Sequence, residues 1–244
     1  MAARRLGRLG RWLIGGLVAL VVLVVGGTWL YIHVIEGPAP APLGLRSGSA
    51  ASSPTTGSGA VRAAAAGSAT SVAGDWRVTT GSVVGYRVDE VLAGQSNVAV
   101  GRTSDISGTM TVNGTTVSAA SFTVQMATVH SDQSERDAQF DGRIMDTATY
   151  PTGTLALASP IALGALPADG VIGSYRAIAN LTLHGHTRSV TFSLEAERTS
   201  AGIEVSGSIP IVFADWGIAN PSFGSFVTTQ DHGLLEFLVK FSKA

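Results

Sequence analysis

Cysteine is absent from the 244 residues. That absence excludes disulfides, thiolate metal ligands, a cysteine nucleophile and a lipidated N-terminal cysteine. Charge is scarce as well, at 14% of residues, and it is unevenly divided. Residues 1–75 carry six Arg against Glu36 and Asp75, whereas residues 76–244 carry ten Lys/Arg against fifteen Asp/Glu, a net of −5. An acidic region without a basic stripe lacks the footprint of a nucleic-acid binder. Also missing are a G-x-S-x-G elbow, a phosphate loop, an H-E-x-x-H pair and a dinucleotide fingerprint, so no cofactor is implied. No internal repeat is present.

One long apolar run is present. From Leu13 to Ile35 there are 23 residues without Asp, Glu, Lys or Arg. At ~1.5 Å per residue they reach roughly 34 Å, enough to cross the hydrocarbon core of a bilayer. Arg4, Arg5, Arg8 and Arg11 precede the run, so the positive-inside bias expects residues 1–12 in the cytoplasm and everything after residue 35 outside. Trp29 and Tyr31 suit the outer interface. A cleaved signal peptide has a shorter apolar region, and Pro42 after Ala39-Pro40-Ala41 counts against processing. The expectation is a single-pass membrane protein with an extracytoplasmic domain.

A linker follows. In residues 37–75, 32 of 39 positions are Gly, Pro, Ala, Ser or Thr, with no periodic apolar face. Such a composition does not offset its own ordering entropy, and residues 36–75 are expected to be a disordered tether spanning on the order of 35 Å.

Residues 76–244 read as all-β. Residues 82–91 alternate, with Val84, Tyr86 and Val88 on one face and Arg87 and Asp89 on the other. Asn113-Gly114 lies between two alternating runs in 107–126, a strong hairpin signal, and Phe122, Val124 and Met126 share a face. In 175–183 the inner set is Tyr175, Ala177, Ala179, Leu181 and Leu183. In 189–197 it is Val190, Phe192, Leu194 and Ala196, with Thr191, Ser193, Glu195 and Glu197 outside. Segments 203–213 and 234–241 complete a sandwich or barrel. Two short elements interrupt the strands. Residues 134–145 read as a helix in which Ser134 and Asp137 form a capping box, and 216–224 reads as an irregular turn broken by Pro221. Small residues mix with large ones on the inner faces: Gly108, Ala156, Ala177, Ala179 and Gly207. They either leave room for a ligand or allow close backbone packing.

Two constellations could carry chemistry. His184 and His186, two apart in an extended chain, would share a face and could grip a metal ion. No third ligand is spaced for them, and a strand end with Gly185 supplying a turn accounts for them as well. Asp132 and Asp137 could do acid–base work, although acidic residues at a helix start are ordinary dipole partners. These residues define the alternative of a metal- or carboxylate-dependent enzyme. Asn113-Gly114-Thr115 and Asn180-Leu181-Thr182 match the weak glycosylation sequon.

Six motifs in register resemble the YceI-like proteins: W-x-V…S-x-V-x-Y-x-V (76–88), SDQSERD (131–137), D-x-x-x-YPT (146–152), LTLHGHT (181–187), DWGIANP (215–221) and D-x-G-x-L-x-F (231–237). The resemblance covers essentially all of 76–244. It implies a lipocalin-like, extended eight-stranded antiparallel barrel with one or two short helices, whose apolar tunnel binds polyisoprenoid or other long-chain lipid. It implies a binding protein and not an enzyme. His184 matches the family histidine, while His186, Gln139 and Leu155 depart from the usual residues. Each buried methylene contributes about 0.8 kcal/mol, so a long chain suits such a tunnel. The expected lining is Val84 and Tyr86; Phe122, Val124 and Met126; Leu157; Tyr175 and Leu183; Phe192 and Leu194; Ile209 and Phe213; Phe237 and Val239. Arg136 is the candidate for a polar or anionic head group, with a structural salt bridge to a nearby Asp as its other role. The expected partners are thus a long-chain isoprenoid or fatty lipid and the membrane. The sequence fixes neither a monomer nor a homodimer.

Overall fold

The computed structural model describes residues 39–45, 71–92, 94–224 and 227–244, together with Gly16, Leu20, Val22, Gly26 and Gly27. The span expected over 13–35 and most of the linker therefore lie outside the described residues. Among the described residues no helix is long and apolar enough to cross a membrane.

Among the described residues, twelve strand segments form one antiparallel sheet that closes on itself. β1 (Gly74–Val78) and β2 (Val83–Leu92) are two halves of one interrupted strand, and β3 (Gln95–Thr103) and β4 (Ile106–Asn113) are two halves of the next. β2 pairs with β3 and β1 with β4 in nearly continuous register, so together they make one long hairpin. β5 (Thr116–Gln125), β6 (Thr152–Leu157), β8 (Gly173–Leu183), β9 (His186–Thr199), β10 (Gly202–Val212) and β12 (His232–Lys243) follow around the ring. β12 then pairs with both β2 and β1, which closes an eight-stranded barrel. β7 (Ile161–Ala162) and β11 (Val227–Thr229) are short additions beside β5 and β2. The Asn113-Gly114 turn forms between β4 and β5 as its sequence dictates, with Gly114 at φ +60° and Asn113 opposite Thr116.

The barrel has two different ends. At one lie the β2–β3 turn, α1 (Ser134–Gln139), the single π turn Phe140–Ile144, the His184-Gly185 turn and the 213–231 segment. At the other lie the start of β1, the Asn113-Gly114 turn, the 158–172 segment and the Gly202 turn. The buried residues form two clusters that divide the same way, one around Phe140, Phe213 and Trp216 and one around Trp76, Val112 and Phe241.

Three local expectations differ from the structure. The capping box does not form: Gln133 is the N-cap of α1 and makes no side-chain cap. Asp137 instead accepts hydrogen bonds from the Ser131 backbone N–H (2.8 Å) and hydroxyl (2.7 Å). Ala156 is exposed, because Leu155 and Leu157 take the inward positions of β6 and parity sends Ala156 out. Ordered packing also begins inside the 36–75 stretch: Val72 is buried, its carbonyl accepts the Trp76 indole N–H (2.9 Å), and β1 starts at Gly74.

Candidate functional site

The alternation of apolar residues along the strands leaves a continuous cavity that, with its mouths, measures about 960 Å³. That lies at the upper end of the ~300–1,000 Å³ usual for small-molecule sites. Its wall includes all fifteen residues selected from sequence, from Val84 and Tyr86 on β2 to Phe237 and Val239 on β12, with Arg136 at the helix end. Met110, Leu155, Phe140, Leu181 and Val205 also line it. The first two lie on alternating strand positions and were within reach of parity; Phe140 comes from the π turn, which has no strand period to reveal it.

Glycines opposite rings keep the cavity open. Tyr86 sits across from Gly101, Phe122 from Gly108 and Phe237 from Gly207. A Cβ at those glycines would lie 2.3 Å from the Tyr86 ring, 2.5 Å from the Phe122 ring and 2.7 Å from the Phe237 ring. The rings therefore lie along the wall, over their neighbours' bare backbone, and do not project across the lumen. Gly108 and Gly207 thus serve close packing, and that packing is what leaves the space.

The helix end carries the polar groups. Tyr86 stacks on Phe140 with ring centroids 5.3 Å apart and planes 15° from parallel. Arg136 pairs with Glu90 (Nη2–Oε1 3.3 Å) and with Asp132, so the salt-bridge role foreseen for it is real. Glu90 also accepts a hydrogen bond from the Asn97 amide at 2.8 Å. Burial works against the charge on Arg136, but Glu90 and Asp132 outweigh it and hold the guanidinium above its ordinary pKa. Burial, with Arg136 opposing it, pushes the Tyr86 phenol well above its ordinary value. Arg143 donates to the backbone carbonyls of Asn220 (3.2 Å) and Pro221 (3.0 Å), tying the 216–224 segment to the helix. At the opposite end the wall is formed by Val72, Leu163, Leu166 and Val171, with Glu197 and Arg198 at the rim. Glu197 therefore reaches the cavity, against the outward position expected for it.

The two histidines do not share a strand face. β8 ends at Leu183, His184 (φ +47°) and Gly185 (φ +75°) form a two-residue turn, and His186 opens β9 opposite Leu183. The turn breaks the period-two argument. His184 instead packs edge-on against Tyr150 at 4.5 Å, and a Cβ at Gly185 would lie 2.6 Å from that ring. A Cβ at Gly217 would lie 2.9 Å from His186 Nε2. Three of the sequence motifs thus meet at one packed corner. Among the described residues no group of three or more His, Cys, Asp or Glu is arranged to hold a metal ion. Asp132 faces Arg136, whereas Asp137 faces Ser131 and His130 (3.2 Å), so the two carboxylates are engaged separately.

The family model described as "YceI-like domain" matches residues 76–241. No curated protein matches the chain significantly. Among solved structures, the polyisoprenoid binding domain from Saccharophagus degradans, implicated in plant cell wall breakdown, aligns with TM-score 0.57 and 18% identity over 69% of this chain and 98% of that one. Burkholderia cenocepacia BcnA aligns with TM-score 0.50 and 20% identity, over 65% of this chain and 96% of its own. At these identities the likeness establishes the shared barrel.

Proposed function

Since the chain belongs to the YceI-like domain family, we propose that it is a membrane-tethered, extracytoplasmic binding protein that holds one long-chain lipid, an isoprenoid or similar amphiphile, inside its barrel. The observation that carries this reading is the cavity, which is apolar along its length, with Arg136 and Glu90 at the helix end and Glu197 and Arg198 at the opposite rim. The name of the Saccharophagus relative, a polyisoprenoid binding domain, supports the chemical class. Burying even ten methylenes would contribute about 8 kcal/mol at ~0.8 kcal/mol each, before the costs of ordering the chain. The protein reads as a binder: Asp132 is paired with Arg136, Asp137 with Ser131 and His130, and His184 packs on Tyr150. Titration with a fluorescent long-chain isoprenoid should saturate near one per chain and be displaced by the unlabelled lipid. Binding that never saturates would refute the site.

The tether rests on the apolar run 13–35 and the four arginines before it. Protease added to intact cells should release a fragment that begins before the first strand, close to residues 71–244. A soluble mature chain beginning near residue 42 would show that the run is removed and not retained.

A further inference from the structure

Glu236 is anomalous for its position. It lies on β12 opposite Gly85, whose other partner is Arg102, and it meets the side chains of Arg87 and Arg102. Strand parity therefore puts its side chain on the outer face of the barrel, away from Tyr86 and Phe237. Yet its side chain is only 4% exposed. A buried carboxylate on an outer wall needs both a cover and partners. The partners are Arg87, whose Nε donates to Oε1 at 2.8 Å, and Arg102, whose Nη2 lies 3.5 Å from Oε2. Gly85 sits between Glu236 and Arg102 in the sheet. A Cβ there would lie 2.0 Å from the Gly101 carbonyl oxygen and 3.0 Å from Arg102 Cγ, so glycine is required by the close backbone and leaves the Arg102 side chain its place. The cover is residues 39–45. Arg87 Nη2 donates to the Pro40 carbonyl at 2.5 Å, and Arg102 Nη2 donates to the Ala41 carbonyl. Leu43 and Leu45 are half-buried.

Each arginine thus holds Glu236 and a carbonyl of the distant segment together. Two guanidinium groups around one carboxylate leave a net charge of +1 and unused donors, a site that asks for acceptors. The proline-containing segment supplies them: its Pro40 and Ala41 carbonyls accept from the two arginines, and its proline nitrogens bring no competing N–H.

We propose that the outer wall formed by Arg87, Arg102 and Glu236 is a docking site for a proline-containing segment, and that its occupant is the chain's own residues 39–45. The consequence rests on the anchored reading above. With the span ending at Ile35, only residues 36–38 separate it from Ala39, and four extended steps cover at most ~14 Å. Docking would hold the barrel wall against the membrane surface, in place of a domain hanging on a tether of 40 residues.

The absence of cysteine makes the test clean. Spin labels at Ala41→Cys and Ser107→Cys, both exposed side chains, report the distance from segment to wall in the full chain reconstituted in lipid nanodiscs and diluted with unlabelled chain. A single narrow distance distribution is expected. It should broaden several-fold in Arg87→Gln/Arg102→Gln, and equally when residues 39–40 and 42–45 are replaced by Gly and Ser, a change that leaves the barrel sequence intact. If circular dichroism shows the arginine variant unfolded, the Gly/Ser chain decides alone. A parent distribution as broad as that of the Gly/Ser chain would overturn the proposal. Carbonate washing of membranes reports the anchor separately. A narrow distribution in a chain that washes off removes the anchor and keeps the docking; a broad one in a chain that stays removes the docking and keeps the anchor.

Discussion

The two ends of the barrel are built from different materials. At the helix end, residues remote in sequence converge: Glu90 from β2, Arg136 from α1, and the Asn220 and Pro221 carbonyls held by Arg143. At the other end the wall is apolar, with Val72, Leu163, Leu166 and Val171 around the lumen and the Arg198–Asp169 pair by the rim. A cavity with the Arg136–Glu90 pair at one end, and apolar at the other up to a charged rim of Glu197 and Arg198, reads a molecule with a matching asymmetry. Such a cavity predicts both that an amphiphile binds and which way it lies, tail toward the β1 end and head toward Arg136.

The harshest way to break this comparison is to put a charge into the apolar half. Leu194 lines the cavity while its neighbour Ser193 is exposed. Leu194→Asp should abolish lipid binding or unfold the domain, since an unpaired buried carboxylate costs several kcal/mol. Ser193→Asp should bind as the parent does. Circular dichroism beside the binding assay separates a lost site from a lost fold, and near-native binding by both variants would mean the strand faces are misassigned.

A smaller change tests how the lumen stays open. Gly207→Ala places a Cβ 2.7 Å from the Phe237 ring and 3.0 Å from the Ser193 carbonyl. The ring must swing off the wall into the lumen, at a cost of about 1–3 kcal/mol in thermal or urea unfolding. Affinity should fall more for a branched isoprenoid than for a straight chain of equal length. An unchanged preference between the two would show that ring placement does not set the lumen's width.

The polar end can be sharpened by varying the head group. Arg136→Gln should weaken a phosphate-bearing isoprenoid by about 1.5–3 kcal/mol, a charged hydrogen bond's worth, and the corresponding neutral alcohol by much less. Equal losses for both would confine Arg136 to its pairing with Glu90 and Asp132.

The effect smallest at ordinary pH, because it appears only in strong alkali, is a pH effect. The folded state holds the Tyr86 phenol neutral above its ordinary value, so the stabilisation is intact below about pH 10, where the unfolded phenol is also neutral. It is lost as pH rises past that point, because only the unfolded chain releases the proton, at up to ~1.4 kcal/mol per pH unit. Tyr86→Phe should remove this share of the alkaline slope in unfolding experiments, and an unchanged slope would contradict the burial of the hydroxyl.

Much of the apolar end was legible in the sequence, because strand parity assigns faces without knowledge of neighbours. Val84, Phe122, Leu194 and Val239 fall on the cavity wall for that reason alone. Parity fails where the chain turns. His184 and His186 look like a same-face pair until the positive φ angles of His184 and Gly185 intervene. The polar end was less legible, since the Glu90–Arg136 pair joins residues that only barrel closure brings together. Composition likewise marked 36–75 as a bare tether. What holds residues 39–45 is a pair of arginines on β2 and β3 bracing a glutamate of β12, and no local property of the segment reveals that.

The central claim is that the barrel carries a lipid, and the most direct test is to look for it. Residues 71–244 contain the closed barrel and both buried clusters. Purified from a lipid-containing host without detergent and extracted with organic solvent, this domain should release a long-chain amphiphile at close to one molecule per chain by mass spectrometry, and Leu194→Asp should release none. A folded domain that yields no lipid, and takes up none when long-chain isoprenoids are supplied, would contradict the account.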